Sequence, residues 1–308
     1  MVPFFLFVLM FFILAAISCI MAREVFFDMG KIKIVTDSTA DLAEDMISRY
    51  DIRIVPLSII IDGKHYLDRV DISPEEFLDE MKKSPELPKS SQPSVGEFLK
   101  VFDELGEDGY EVLSIHMTGG MSGTVRSAQS AAEMSKANVT VVDSMFISKG
   151  LAFQVEEAAV MASQEMNMEE IIARIDVVRE QTRLFVVVDT LENLLKGGRI
   201  GKGKAMIGSL LNIKPIASLE GGEYTPVSKA RSHSQVVKYL SKQFAEDVKG
   251  KVVKGIGLTH AEGMELATKL KEAIKELTGY TKVDMEVTTP IISTHTGTGA
   301  IGFMYYFE

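Results

Sequence analysis

The stretch Glu111–Asp143, EVLSIHMTGGMSGTVRSAQSAAEMSKANVTVVD, decides the fold. Its two ends, Glu111–His116 and Asn138–Asp143, are short β-branched runs, and between them a glycine-rich turn opens an amphipathic helix over Thr124–Ser135. Strand, helix and strand in that order are the grammar of a βαβ unit, and therefore of a parallel sheet with a helix on its face. Upstream the same alternation begins at Lys31–Thr36, a first strand. Asp37-Ser38-Thr39-Ala40-Asp41 after it offers cap residues and first-turn acid for a helix to about Tyr50. Ile52–Ile61 reads as a second strand, turned by Asp62-Gly63 into Lys64–Leu67. Ser73-Pro74-Glu75-Glu76 and Ser94-Val95-Gly96-Glu97 are capping boxes that open helices, the second running to about Leu105, and Ser84–Ser94 between them reads as a loop.

Downstream, helices over Gly150–Ser163 and Met168–Thr182 and a strand at Leu184–Val188 complete the first rhythm. Near Asp189 the pattern changes to a smaller αβ unit with a Gly221-Gly222 hairpin. A helix over Ser234–Asp247, a strand over Val252–Thr259, a helix over Gly263–Leu277, a strand over Thr281–Val287, a loop carrying His295 and a last strand at Ala300–Phe307 follow. The expectation is an α/β protein of two domains: residues 29–188 built on a largely parallel sheet, and residues 189–308 a smaller α/β unit. A chain of 308 residues with 46% hydrophobic content can build two such cores.

Composition excludes several function classes. A net charge of −10 argues against binding a phosphate backbone, which depends on clustered Lys and Arg. The single cysteine, Cys19, can form neither an internal disulfide nor a thiolate zinc site, which fits a reducing compartment. Residues 1–22 carry no charged side chain and are long enough to span a hydrocarbon core, but no Lys or Arg precedes them as a secretory signal requires. Met29-Gly30-Lys31 stands directly before the first strand, so residues 1–28 read either as a membrane anchor or as sequence upstream of a start at Met29.

Three segments can carry chemistry. Gly119-Gly120-Met121-Ser122-Gly123-Thr124 lies between a strand and a helix, where small residues let N–H groups converge on an anion; it reads equally as a tight turn whose Ser122 or Thr124 caps the helix. Ser90-Ser91-Gln92-Pro93-Ser94 offers hydroxyls in a proline-pinned loop, and His295-Thr296-Gly297-Thr298-Gly299 an imidazole with hydroxyls and glycines. A stand-alone Ser122/His295 hydrolase of acyl esters is the alternative enzyme reading, although the G-x-S-x-G elbow is absent. Gly198-Arg199-Ile200-Gly201-Lys202-Gly203-Lys204-Ala205 has the spacing of a phosphate loop, but Ala205 stands where a magnesium-binding hydroxyl belongs, and a helical turn over Leu191–Leu195 precedes it in place of a strand.

Taken together, Asp37–Leu42, Ser90–Ser94, Met121–Thr124, Gly198–Ile200 and His295–Ala300 resemble, in order and spacing, the bacterial DegV family from about Lys31 to the C-terminus. The resemblance implies a two-domain α/β fold with one long-chain fatty acid between the domains. It implies a non-catalytic subunit that presents the carboxylate to a separate ATP-binding fatty acid kinase, whose acyl phosphate feeds phospholipid synthesis. By position Ser90, Ser122, Gly123, Thr124 and His295 are the implied carboxylate ligands, Ser91, Gly119, Gly120, Thr296 and Gly297 the supporting loops, and Arg231 the partner contact. Ser90 stands where Thr is usual and keeps the hydroxyl; Thr298 stands where Pro is common. No metal or cofactor is implied, the location implied is cytoplasmic with only transient membrane contact, and residues 1–28 fall outside the family pattern. A membrane-anchored lipid receptor is the reading if residues 1–22 are an anchor. Of the 17 methionines, Met117, Met121, Met134 and Met145 flank the candidate loop and can line an adaptable tunnel.

Overall fold

The computed structural model describes residues 31–206 and 213–308, and the expectations for residues 1–28 lie outside them. A four-stranded parallel sheet is ordered β2-β1-β6-β7, formed by β1 (Ile32–Asp37), β2 (Arg53–Val55), β6 (Glu111–His116) and β7 (Val139–Asp143). The βαβ unit is present as expected, with α4 (Thr124–Met134) between β6 and β7. On one face of this sheet α3 (Val95–Glu107) and α4 enclose a core around Phe98, Phe102 and Val112. The other face packs on α5 (Ser148–Ser163), which also touches the second sheet.

The second sheet is mixed, ordered β10-β9-β8-β13-β11-β12. Its strands are β8 (Thr182–Val187), β9 (Lys214–Ser218), β10 (Thr225–Ala230), β11 (Val253–Ala261), β12 (Asp284–Val287) and β13 (Ala300–Phe307), and only β11 and β12 pair in parallel. Helices α8 (His233–Asp247) and α9 (Met264–Thr278) cover its outer face. The inner face shares one continuous apolar core with the parallel sheet: Ile34 and Leu113 belong to the same cluster as Leu184, Ala217 and Met304. Among the described residues no helix is long and apolar enough to cross a membrane.

Several expectations are corrected. The division set between residues 188 and 189 falls too late, because β8 pairs with β13 and β9 and so already belongs to the second sheet. Nothing local to TRLFVV distinguishes it from a parallel strand, and its partner β13 lies more than a hundred residues on. Ile52–Ile61 is two strands, not one. Pro56, which cannot donate to a ladder, separates β2 from β3 (Ser58–Ile61), and β3 enters a small antiparallel sheet with β4 (Lys64–Leu67) and β5 (Lys89–Ser91). β5 lies in the segment expected to be loop, and its polar sequence KSS becomes a strand only because β3 supplies the ladder. The helix expected from Asp37–Asp41 begins later, as α1 (Glu44–Tyr50), and the side chains of Asp37, Ser38, Thr39 and Asp41 are buried. His295 sits on a helix, α10 (Pro290–Thr296), which the Thr289-Pro290 pair announces as N-cap and first position. Both expected capping boxes form, on α2 (Pro74–Lys83) and α3.

Candidate functional site

A cavity opens between the two sheets, with an empty volume of about 610 Å³ counted out to its open mouth. Its walls are mostly apolar, with Leu57, Met117, Met121 and Ile147 from one half of the chain and Val186, Leu219, Tyr224 and Ile291 from the other. Polar groups concentrate among Ser90, Gln92, Ser122, Arg199 and His295. Of the four methionines expected to line a tunnel, Met117 and Met121 do; Met134 and Met145 are exposed.

The Gly119–Thr124 turn is held by its own hydrogen bonds. The N–H of Gly119 donates to Asp143 Oδ2 (3.0 Å), that of Gly120 to Thr118 Oγ1 (3.1 Å), and those of Met121 and Ser122 to Thr118 O (3.2 and 3.3 Å). These four N–H groups are thus committed within the protein, and the turn presents the Ser122 hydroxyl, not a ring of converging amides. Ser122 Oγ lies 2.8 Å from Thr124 Oγ1, accepts from Thr124 N (3.3 Å) and faces the cavity. Thr124 is fully buried behind it. Gly123 is the helix N-cap and lies under the Gln92 amide, which bonds Ser127 Oγ at 2.8 Å. Gly120 packs directly on the carbonyl of Gly222 in the turn between β9 and β10.

The opposite rim is assembled across the chain. Ser90 Oγ on β5 is 2.7 Å from His295 Nε2 on α10, a contact between residues 205 positions apart. Gly197, at the end of the short helix α7 (Glu192–Lys196), lies so close that a β-carbon there would sit 2.3 Å from His295 Nδ1. Burial and then the positive charge of Arg199 hold His295 down to about 4, so the imidazole is neutral at physiological pH. Arg199 ties the rims together, donating from Nε to Met121 O (3.1 Å) and from Nη1 to Gly197 O (2.6 Å). Arg199 also lines the cavity and places a cation beside the hydroxyls and the imidazole. Its only sequence signal was its place in Gly198-Arg199-Ile200, which phosphate-loop spacing obscured. That stretch follows a helix and continues as a 3₁₀ turn, Gly201–Met206, not as a strand leading into a phosphate loop.

The supporting residues divide. Thr296 lines the cavity, but its hydroxyl donates to Ile292 O at 3.0 Å, so it offers its methyl side. Gly297 takes φ +73° against Asn193, whose amide bonds Thr294 O at 3.1 Å. Ser91 is exposed and does not line the cavity. Arg231 is also exposed and outside the cavity. It follows β10, whose last residue pairs with Lys214; Lys214 is ion-paired to Asp189, on which Gly299 packs, so Arg231 lies at the end of the sheet nearest the His295 loop. Among the described residues nothing joins Ser122 to His295 by a hydrogen bond, and no acid partners His295 Nδ1. Among the described residues no group of three His, Cys, Asp or Glu side chains could hold a metal ion.

Residues 31–308 match the model of a family described as an uncharacterised protein of the DegV family. The chain is 45% identical over 281 residues to a DegV domain-containing protein of Listeria monocytogenes, covering 91% of this chain and all of the relative. A solved structure described as fatty acid binding of a DegV family protein from Thermus thermophilus superposes with a TM-score of 0.84 at 31% identity, covering 90% of this chain and 99% of that one. DegV of Bacillus subtilis, described as a fatty acid binding protein, superposes with a TM-score of 0.82 at 31% identity, covering 91% of this chain and 100% of that one.

Proposed function

The chain belongs to the DegV family, and from that premise we propose that it binds a long-chain fatty acid in the cavity between its sheets and presents the carboxylate to a partner kinase. The observation that carries this reading is the division of the cavity: an apolar interior with hydroxyl, imidazole and guanidinium groups gathered among Ser90, Ser122, His295 and Arg199. A neutral imidazole with an unpartnered Nδ1 and a pair of hydroxyls can donate to a carboxylate, and Arg199 offsets its charge. Each buried methylene contributes about 0.8 kcal/mol, so a chain of some fifteen carbons gains on the order of 10 kcal/mol before ordering costs. A ligand so held survives purification.

The absence of an acid behind His295 and of a Ser122–His295 bond favours presentation over hydrolysis, since a serine nucleophile needs an adjacent base oriented by a third group. In this reading an ATP-binding partner phosphorylates the carboxylate where it lies, the acyl phosphate feeds phospholipid synthesis, and exposed Arg231 contacts that partner. The protein acts in the cytoplasm and meets membranes transiently.

The test is direct. Residues 29–308 are purified, denatured and extracted: a stoichiometric fatty acid is expected, and its absence together with failure to bind added fatty acid overturns the reading. Arg231→Ala is expected to leave fatty acid binding intact and reduce kinase-coupled turnover about tenfold; unchanged turnover removes the docking role from Arg231.

A further inference from the structure

Past Ile147, Val186, Ile292 and Thr296 the cavity continues into an inner chamber, which shares those four residues with it. The floor of this chamber is the inner face of the second sheet: Leu184 from β8, Ala300, Gly302 and Met304 from β13, and Thr259 and Ala261 from β11. Its hydroxyls are spent within the protein. Ser148 Oγ and Thr288 Oγ1 both donate to the buried Asp41 Oδ2, and Thr259 Oγ1, 3.2 Å from Ser148 Oγ, donates to it in turn, so the chamber presents carbon to a ligand. His260 alternates with Thr259 along β11 and stands opposite Ile301, so its ring belongs to the outer face.

A run of small residues leaves the chamber open. The inner face of β11 also carries Gly255 and Gly257, but there α5 takes up the room: a β-carbon at Gly255 would meet the Phe153 ring (2.9 Å), and one at Gly257 the stem of Lys149 (2.5 Å). Gly302 is different. The atoms nearest a β-carbon there belong to Thr259 (Oγ1, 2.8 Å) and Met304 (Sδ, 3.2 Å), side chains of the sheet itself, and no atom of α5 is among them. A glycine inside a strand marks a place where something approaches the backbone closely, and packed interiors leave few voids larger than a water molecule. At Gly255 and Gly257 the thing that approaches is α5; at Gly302 it is whatever fills the cavity. Resting on the reading that this cavity binds a fatty acid, we propose that the methyl end of the acyl chain lies in the inner chamber, and that Gly302 and Met304 set the longest chain the protein holds out of water. Each methylene that enters adds about fourfold to affinity, the ~0.8 kcal/mol of one buried CH₂, and the gain stops where the chamber ends.

The experiment measures displacement of a fluorescent fatty acid from the delipidated protein by saturated acids of increasing length, and finds the length beyond which affinity stops rising. Gly302→Ala, which raises the floor by one methyl group, is expected to shorten that limit by about one carbon and to weaken an acid at the wild-type limit about fourfold. Met304→Ala, which removes atoms from the end of the chamber, is expected to lengthen the limit by about two carbons. An acid several carbons shorter does not reach the chamber and is expected to bind both variants like the wild type. A limit that stays at the wild-type length in Met304→Ala, an equal loss at every chain length included, overturns the inference whether or not Gly302→Ala folds, and leaves fatty acid binding in place. Failure of all the acids to bind the wild-type protein overturns the fatty acid reading itself, and the chain-length role with it.

Discussion

The two rims of the cavity are built on opposite plans. The Gly119–Thr124 turn is held mainly by local bonds: its amides are taken by Thr118 and Asp143 of the same βαβ unit, with Gly222 and Arg199 packed on it from outside. The His295 rim is long-range, made by β5, α7 and α10 meeting through Ser90, Gly197, Arg199 and His295. The turn is a rigid frame that exposes one hydroxyl, whereas the far rim holds its imidazole by contacts that exist only when distant segments close together. Substitutions should therefore cost stability on the first rim and ligand affinity on the second.

The largest expected effect breaks the frame. A β-carbon at Gly120 would lie 2.7 Å from the carbonyl of Gly222, and backbone cannot step aside as a side chain can. Gly120→Ala is expected to cost about 1–3 kcal/mol, read as a shift of the denaturation midpoint. Gly123→Ala, three residues on but meeting the exposed Gln92 side chain, which can give way, is expected to stay within about 0.5 kcal/mol. Equal costs at the two positions would show that the turn yields as a whole.

Gly197→Ala acts on the other rim. Its new methyl meets His295 Nδ1, and the ring must leave Ser90 to make room. Fatty acid affinity is expected to fall about fivefold to tenfold with less than about 1 kcal/mol lost in stability, the worth of one hydrogen bond. Titration calorimetry beside thermal melts separates the two quantities.

The remaining effects are read by pH. His295, held at about 4 against an unfolded value near 6.5, contributes stability that is complete above 6.5 and is lost as pH falls through 4, because only the unfolded chain gains the proton in that window. Asp68 works in the opposite sense. Burial raises it to about 7, so its contribution is complete below its ordinary carboxylate value and is lost as pH rises through 7. His295→Gln is expected to flatten the loss of stability between pH 6.5 and 4, and Asp68→Asn the loss between pH 4 and 7. Arg199→Gln, which removes the neighbouring positive charge, is expected to move the His295 titration upward in a proton NMR experiment.

Much of the fold was legible because its signals are local. The capping boxes at Ser73 and Ser94 and the Asp62-Gly63 turn rest on a few adjacent residues, and the β6–α4–β7 unit on periodicity within one continuous stretch, where backbone preference acts. What was misread depends on pairing across the chain. KSS at Lys89–Ser91 has no strand preference of its own, Ile52–Ile61 looks continuous until Pro56 diverts it to another sheet, and β8 reveals its sheet only through β13. The site shows the same limit: Ser90, Ser122 and His295 are named through a family resemblance, while Arg199 stands in a stretch with phosphate-loop spacing and carries no site role there.

The sequence by itself determined the alternation of elements and most of the helix starts, because these follow from the chemistry of neighbours along the chain. Only the tertiary structure decided that Ser90 touches His295, that Arg199 spans both rims, and that the turn's amides are already spent. Those facts are distances between residues far apart in sequence, and such distances are set by how two sheets pack on one shared core.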